Sequence, residues 1–147
     1  LNFREHLIGG VVVSAVAVGI GCHYYNLNPK VALVALGFGV FSSLYPDIDI
    51  KSKSSRLVSL IIAGLVIYFG MNHHMDLAII GSVMMVIPMF LQHRGFTHSH
   101  VCGILVSSAM MYGYSVFCAP EWAVGVVAYL GYVTHLLLDG LAFKRLV

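Results

Sequence analysis

Six apolar stretches, Leu7 to Cys22, Val31 to Tyr45, Leu57 to Met71, Leu77 to Leu91, Val101 to Ala119 and Trp122 to Leu138, carry no Asp, Glu, Lys, Arg or His in their middles. A helix in water needs a polar face, and these stretches offer none. Over the chain as a whole, 59% of residues are hydrophobic and 10% charged, against about 45–50% and about 25% in ordinary soluble domains. The mean hydropathy is +0.90. The expectation is an all-α integral membrane bundle of about six transmembrane helices. Several stretches fall short of the roughly 20 residues that cross a hydrocarbon core of about 30 Å, so flanking residues join the crossings or the bilayer thins locally.

Turn formers and charges collect between the stretches, at Asn26 to Pro29, Pro46 to Arg56, Asn72 to Asp76, Gln92 to His100 and Pro120-Glu121. No connection is long enough to be a linker, so residues 1–147 read as one membrane-embedded domain. With six crossings, one side receives Arg4, Lys51, Lys53, Arg56, Arg94, Lys144 and Arg145, and the other only Lys30. That asymmetry places both termini in the cytoplasm. Nearly every glycine falls inside an apolar segment, among them Gly9, Gly10, Gly37, Gly39, Gly64, Gly81, Gly103, Gly113, Gly125 and Gly131. In lipid such residues allow close helix contact. Cys22, Cys102 and Cys118 form no CxxC pair and read as small packing residues; a Cys22–Cys118 bridge has nothing in the sequence to support it. The first stretch lacks an A-x-A site and is read as a helix and not a leader. The net charge of +2 and the absence of basic runs interleaved with aromatics argue against a nucleic-acid partner.

Polar chemistry is confined to the ends of the stretches. His6, Asp47 with Asp49, His93 with His98, and His135 with Asp139 all fall on one side if each stretch crosses the bilayer. The segment His93-Arg94-Gly95-Phe96-Thr97-His98-Ser99-His100 places three imidazoles and a guanidinium within eight residues. Imidazole is the commonest metal ligand near neutral pH, and the planar Arg fork suits phosphate or carboxylate. Pro46 ends the second stretch, and in an extended backbone Asp47 and Asp49 point the same way, as a carboxylate pair bridging cations would. The alternative is that they are solvated or pair with Lys51 and Lys53. His135 and Asp139 share a helix face at i, i+4, so both can ligate one ion or one can orient the other; a structural cap is the competing reading. His6 opens the first stretch in the same plane, with Glu5 beside it as a surface charge. His100 reads as a helix start. His23, His73, His74, Asp76 and Glu121 belong to the opposite side.

The favoured metal ligands are therefore His6, Asp47, Asp49, His93, His98, His135 and Asp139. Seven donors exceed the needs of one four-coordinate ion and suit two or three divalent ions with bridging carboxylates. The mixture of imidazole and carboxylate favours Zn²⁺, with Mn²⁺ or Fe as alternatives. Such centres polarise a phosphoryl group and activate water for in-line attack. In that chemistry Arg94 holds the phosphate charge, and Asp47 or Asp49 bridges the ions or accepts the water's proton.

At His6, Pro46-Asp47-Ile48-Asp49, the His93 to Ser99 block and the His135 to Asp139 pair, the chain resembles the YdjM-like family of membrane-bound predicted metal-dependent hydrolases. These elements span almost the whole chain in the family's order, and the HRGxTHS block is the specific part. That family is similar in turn to the zinc-dependent phospholipase C and nuclease superfamily, which implies an all-helical fold, clustered zinc and phosphoester hydrolysis. The superfamily is mostly soluble, and a Glu often stands where this chain has Asp139.

The sequence thus points to a metal-dependent hydrolase of the bacterial inner membrane, multi-pass, with its site facing the cytoplasm. Its substrate would be a phospholipid or a lipid-linked phosphate. A metal-ion or proton transporter is the alternative, but a transport path calls for ionisable groups at mid-helix. A haem protein would leave the aspartates unexplained, and the H-E-x-x-H of a zinc protease is absent.

Overall fold

The computed structural model describes residues 3–49, 53–90, 95–119 and 121–140, without the side chains of Asp49, Lys53 and Ser54. Six α-helices lie among the described residues: α1 (Phe3–Tyr25), α2 (Pro29–Leu44), α3 (Lys53–Met71), α4 (Met75–Phe90), α5 (His100–Phe117) and α6 (Trp122–Leu138). Two short 3₁₀ turns, Tyr45–Asp49 and Phe96–His98, follow α2 and precede α5. The helix count matches the six apolar stretches. α1 starts four residues before Leu7, which takes His6 into its first turns. Three helical segments are long and apolar enough to cross a membrane, Phe3–Tyr25, Pro29–Ile48 and His100–Phe117; Ser55–Met71, Met75–Phe90 and Trp122–Leu138 are shorter apolar helices.

α1 shows how the sequence places its faces. Ile8, Val12, Val16 and Ile20, four residues apart, stand on the exposed side, while His6, Gly10 and Ser14 are buried. Residues four apart share a helix face. The small and polar face therefore turns inward and the aliphatic face outward, the reverse of a helix in water and the arrangement for helices solvated by lipid.

α2 packs against both α1 and α6, α3 pairs with α4, and α5 lies on α6. The α2–α6 crossing is set by two glycines. A Cβ at Gly131 would collide with the backbone carbonyl of Gly39, and a Cβ at Gly39 would collide with Ser14 Oγ of α1. One turn nearer the site, a Cβ at Gly10 would strike Ser43 Oγ. The glycines expected to permit close approach do so here, whereas Gly37 and Gly64 face open space.

The α3–α4 hairpin is tied to the rest through a proline. Pro88, inside α4, has no N–H to give the carbonyl of Met84 one turn earlier. The Tyr45 hydroxyl donates to that carbonyl at 2.7 Å, so an acceptor vacated in one helix anchors the turn that ends another.

Pro46 ends the α-helix as expected, α2 closing at Leu44, and the chain goes on through Pro46 and Asp47 as a 3₁₀ turn. One local expectation is corrected. The same-facing Asp47–Asp49 pair required an extended backbone, and the 3₁₀ turn through both residues removes that argument. Cys22 and Cys118 are free and exposed, while Cys102 packs in the core as a small apolar residue.

Replacing Gly131 with Ala is expected to cost at least ~2 kcal/mol through overpacking against backbone that cannot yield. Gly64→Ala, in open space, should be neutral or slightly stabilising. Thermal unfolding of the two variants in detergent, side by side, checks the difference.

Candidate metal centre

The ends of α2 and α6 and the short turn before α5 meet at one level of the bundle. Asp47 comes from the first 3₁₀ turn, His98 from the second, His135 from the last turn of α6, and Asp139 caps that helix. One donor atom from each lies within 4.8 Å of all the others. His135 Nε2 stands 3.5 Å from Asp47 Oδ1 and 3.6 Å from Asp139 Oδ2. His98 Nε2 stands 3.8 Å from Asp47 Oδ1 and 3.7 Å from Asp139 Oδ2. Donors around a tetrahedral ion with bonds of about 2.1 Å are separated by about 3.4 Å, so two imidazoles and two carboxylates already stand close to that spacing.

His6 joins from α1 by a different contact. Its Nε2 is 3.3 Å from Asp139 Oδ1, the carboxylate oxygen turned away from His98 and His135. Its ring stacks on His135 with centroids 3.9 Å apart. His6, His98 and His135 are each 1% exposed or less.

Two of the three imidazoles, His135 and His98, are held from behind. His135 Nδ1 donates to the Ser43 carbonyl at 2.8 Å, which leaves Nε2 as the nitrogen with a lone pair facing the carboxylates. That Nε2 is buried and has no hydrogen-bond partner. An imidazole bonded through one nitrogen to a carbonyl and left open at the other is the arrangement of a metal ligand. The carbonyl is available because, in the 3₁₀ register, its partner N–H would come from residue 46, and Pro46 has none. His98 Nδ1 contacts Thr97 Oγ1 at 3.2 Å. The turn carrying His98 is fixed in turn by Tyr132, whose hydroxyl donates to the Thr97 carbonyl. Tyr132 fits because Gly103 faces it: a Cβ there would come within 2.7 Å of the ring. Ser99 then caps α5 by accepting from the Cys102 N–H at 3.2 Å.

The electrostatics suit a cation. α2 and α6 end at the cluster while α1 and α5 begin beside it, so their end charges oppose one another and the Asp47 and Asp139 carboxylates supply the negative charge. The neighbouring His135 imidazole holds the Asp139 carboxyl well below the usual carboxylate range, outweighing burial, which acts the other way. Gly140, at φ +68°, takes the left-handed conformation just past Asp139 and closes α6 there.

Of the seven ligands expected from sequence, the structure unites Asp47, His98, His135 and Asp139 and brings His6 against them. His93 and Arg94 lie outside the described residues, as does the side chain of Asp49. His100 is the first residue of α5 and pairs with the Tyr129 hydroxyl at 2.9 Å. His23 lies in the last turn of α1, Asp76 in the first turn of α4, and Glu121 precedes α6, all at helix ends opposite the cluster. His6 and His23 are separated by about 25 Å along α1. Sequence reasoning missed Ser43 and Tyr132. Tyr132 carried a signal, since it lies three residues before His135 on a neighbouring part of the same helix; Ser43 acts through its carbonyl and carried none.

The model of the YdjM inner membrane protein family matches residues 2–144. The chain belongs to that family. No curated protein and no solved structure gives a match. The YdjM family description places the chain in an inner membrane and agrees with the outward aliphatic faces of its helices; it names no reaction.

Tyr132→Phe removes the hydroxyl that holds the Thr97 carbonyl. The fold should survive with a loss of ~1–3 kcal/mol, while metal affinity falls roughly 10–100-fold as for other outer supports of ligands. Competition with a chromophoric chelator reads the affinity directly.

Proposed function

We propose that the chain is a six-span hydrolase of the inner membrane, with both termini and a metal centre at the cytoplasmic face, acting on the phosphoester of a lipid or lipid-linked substrate. The observation that carries this reading is the convergence of Asp47, His98, His135 and Asp139, drawn from three separate parts of the chain, into one buried donor set. Neutralising a charge pair would not need two imidazoles aimed at two carboxylates. The seven cationic residues on the site's side of the apolar stretches, against Lys30 on the other, support the orientation.

Zn²⁺ suits the two-nitrogen, two-oxygen set best, with Mn²⁺ or Fe as alternatives. Bound there, the ion would supply Lewis-acid polarisation of a phosphoryl oxygen and lower the pKa of a coordinated water. Asp139 offers Oδ2 to the four-donor set and Oδ1 to His6, the disposition of a carboxylate shared between two positions. His6, with His93 and Asp49, would complete a second position, in keeping with a centre of two or three ions. Arg94 would neutralise the phosphate, and Asp47 or Asp49 would take the proton from the attacking water. A site at head-group level reaches a lipid phosphoester without drawing the lipid out of the bilayer, which favours this substrate class over a soluble one.

Metal analysis of detergent-purified protein should return more than one transition-metal ion per chain, and less than half an ion would end the reading. His98→Ala and Asp47→Ala should each lose metal and hydrolysis together while far-ultraviolet circular dichroism stays helical. Incubation with a total lipid extract, with and without chelator, should show species that disappear only when metal is present. In proteoliposomes the hydrolase reading predicts product without metal flux, and flux without product would favour transport.

A further inference from the structure

A cavity of about 620 Å³ lies between α2, α3, α4 and α5, with α1 contributing Leu7 at one end. It falls within the roughly 300–1,000 Å³ of ordinary ligand pockets, yet its walls are almost wholly hydrocarbon and aromatic. The end near the metal centre is walled by Leu7, which follows His6, and by Leu44, three residues before Asp47; the far end is walled by Phe69, Leu77 and Phe117. From Leu57 to Phe69 along α3 the cavity runs about 18 Å, slightly more than one leaflet of a hydrocarbon core of about 30 Å.

The shape narrows the choice of occupant. The volume of about 620 Å³ is drawn out along that length, and its walls carry almost no polar surface for a ligand's polar atoms to meet. Water needs two to four polar partners, which these walls do not offer. A hydrocarbon chain matches both the length and the chemistry of the walls. Room for it is kept by glycines: a Cβ on Gly37 would meet nothing within 4 Å, and one on Gly113 would meet only Leu77 Cδ2 at 3.8 Å.

We propose that this cavity seats one hydrocarbon chain of a membrane lipid, whose head group then lies at the level of the Asp47, His98, His135 and Asp139 cluster. Taken with the hydrolase reading, on which this last step rests, that lipid is the substrate and the cavity selects for chain length.

The test uses chelator-treated protein in phosphatidylglycerol vesicles containing a tracer phosphatidylglycerol with a diazirine at the end of one acyl chain. Photolysis should label Phe69, Leu77 and Phe117 above the outward residues Val12 and Val16 of α1. Gly37→Phe and Gly113→Phe fill the space, add a better helix former, and should cut that labelling at least tenfold. Gly64→Phe, also in open space but outside the cavity, should leave it unchanged. Labelling that is equal on α1, or indifferent to both fillings, overturns the proposal. Loss of labelling in the filled variants supports chain binding even if metal-loaded wild-type protein cleaves no phosphoester, an outcome that would remove the hydrolase reading instead. If the wild type does cleave lipid, the filled variants should lose long-chain turnover while keeping turnover of a dihexanoyl analogue.

Discussion

The contact between Gly39 and Gly131 sets the spacing of Asp47, His135 and Asp139 in the candidate metal centre. At that crossing the backbones of α2 and α6 touch without an intervening side chain, and both helices run toward the cluster. One turn further along, Ser43 and His135 meet through a hydrogen bond. One step beyond, Asp47 and Asp139 face the same imidazole. α1 runs the other way and supplies the matching steps, Ser14 against Gly39, Gly10 against Ser43, and His6 against Asp139. Three rows with a four-residue repeat, one on each helix, thus build a packing layer, a supporting layer and a ligand layer. Because a backbone-to-backbone contact has no rotamers, it fixes the separation of these rows more tightly than interdigitated side chains would.

Prolines complete this scheme by freeing acceptors. Pro88 leaves the Met84 carbonyl for Tyr45, and Pro46 leaves the Ser43 carbonyl for His135. An unpaired carbonyl inside an apolar bundle is costly, so each becomes a strong local demand for a donor from another element. Backbone groups that would otherwise be internal to one helix are converted into ties between helices. The result is a set of imidazoles and carboxylates oriented by its surroundings, as a site able to hold a metal ion requires.

The six helices were legible because each apolar stretch is long and bounded by turn formers or charges, and the shared level of the polar groups followed from alternating helix direction. His135 and Asp139 were legible as an i, i+4 pair within a helix that reached its expected end. The conformation of Asp47 was not, since D-x-D after a proline is compatible with extended and 3₁₀ backbone alike, and only packing against α3, α4 and α6 selects between them. The role of Ser43 was hidden because its contribution is a main-chain carbonyl, which any residue type would provide. Glycine spacing marked helix contact in general, but Gly37 and Gly131 look the same in sequence and do opposite things, one leaving room and the other closing it.

The four-residue rows make the bundle sensitive to length as well as to composition. Removing one residue between Gly131 and His135 would keep the glycine crossing and turn the imidazole and the carboxylate beyond it by about 100° around the helix axis, away from Asp47 and His98. The outward stripe of Ile8, Val12, Val16 and Ile20 obeys no such register, because liquid hydrocarbon accepts any aliphatic shape. Along such helices, then, side chains facing the acyl phase are free to drift while the count of peptide units is locked.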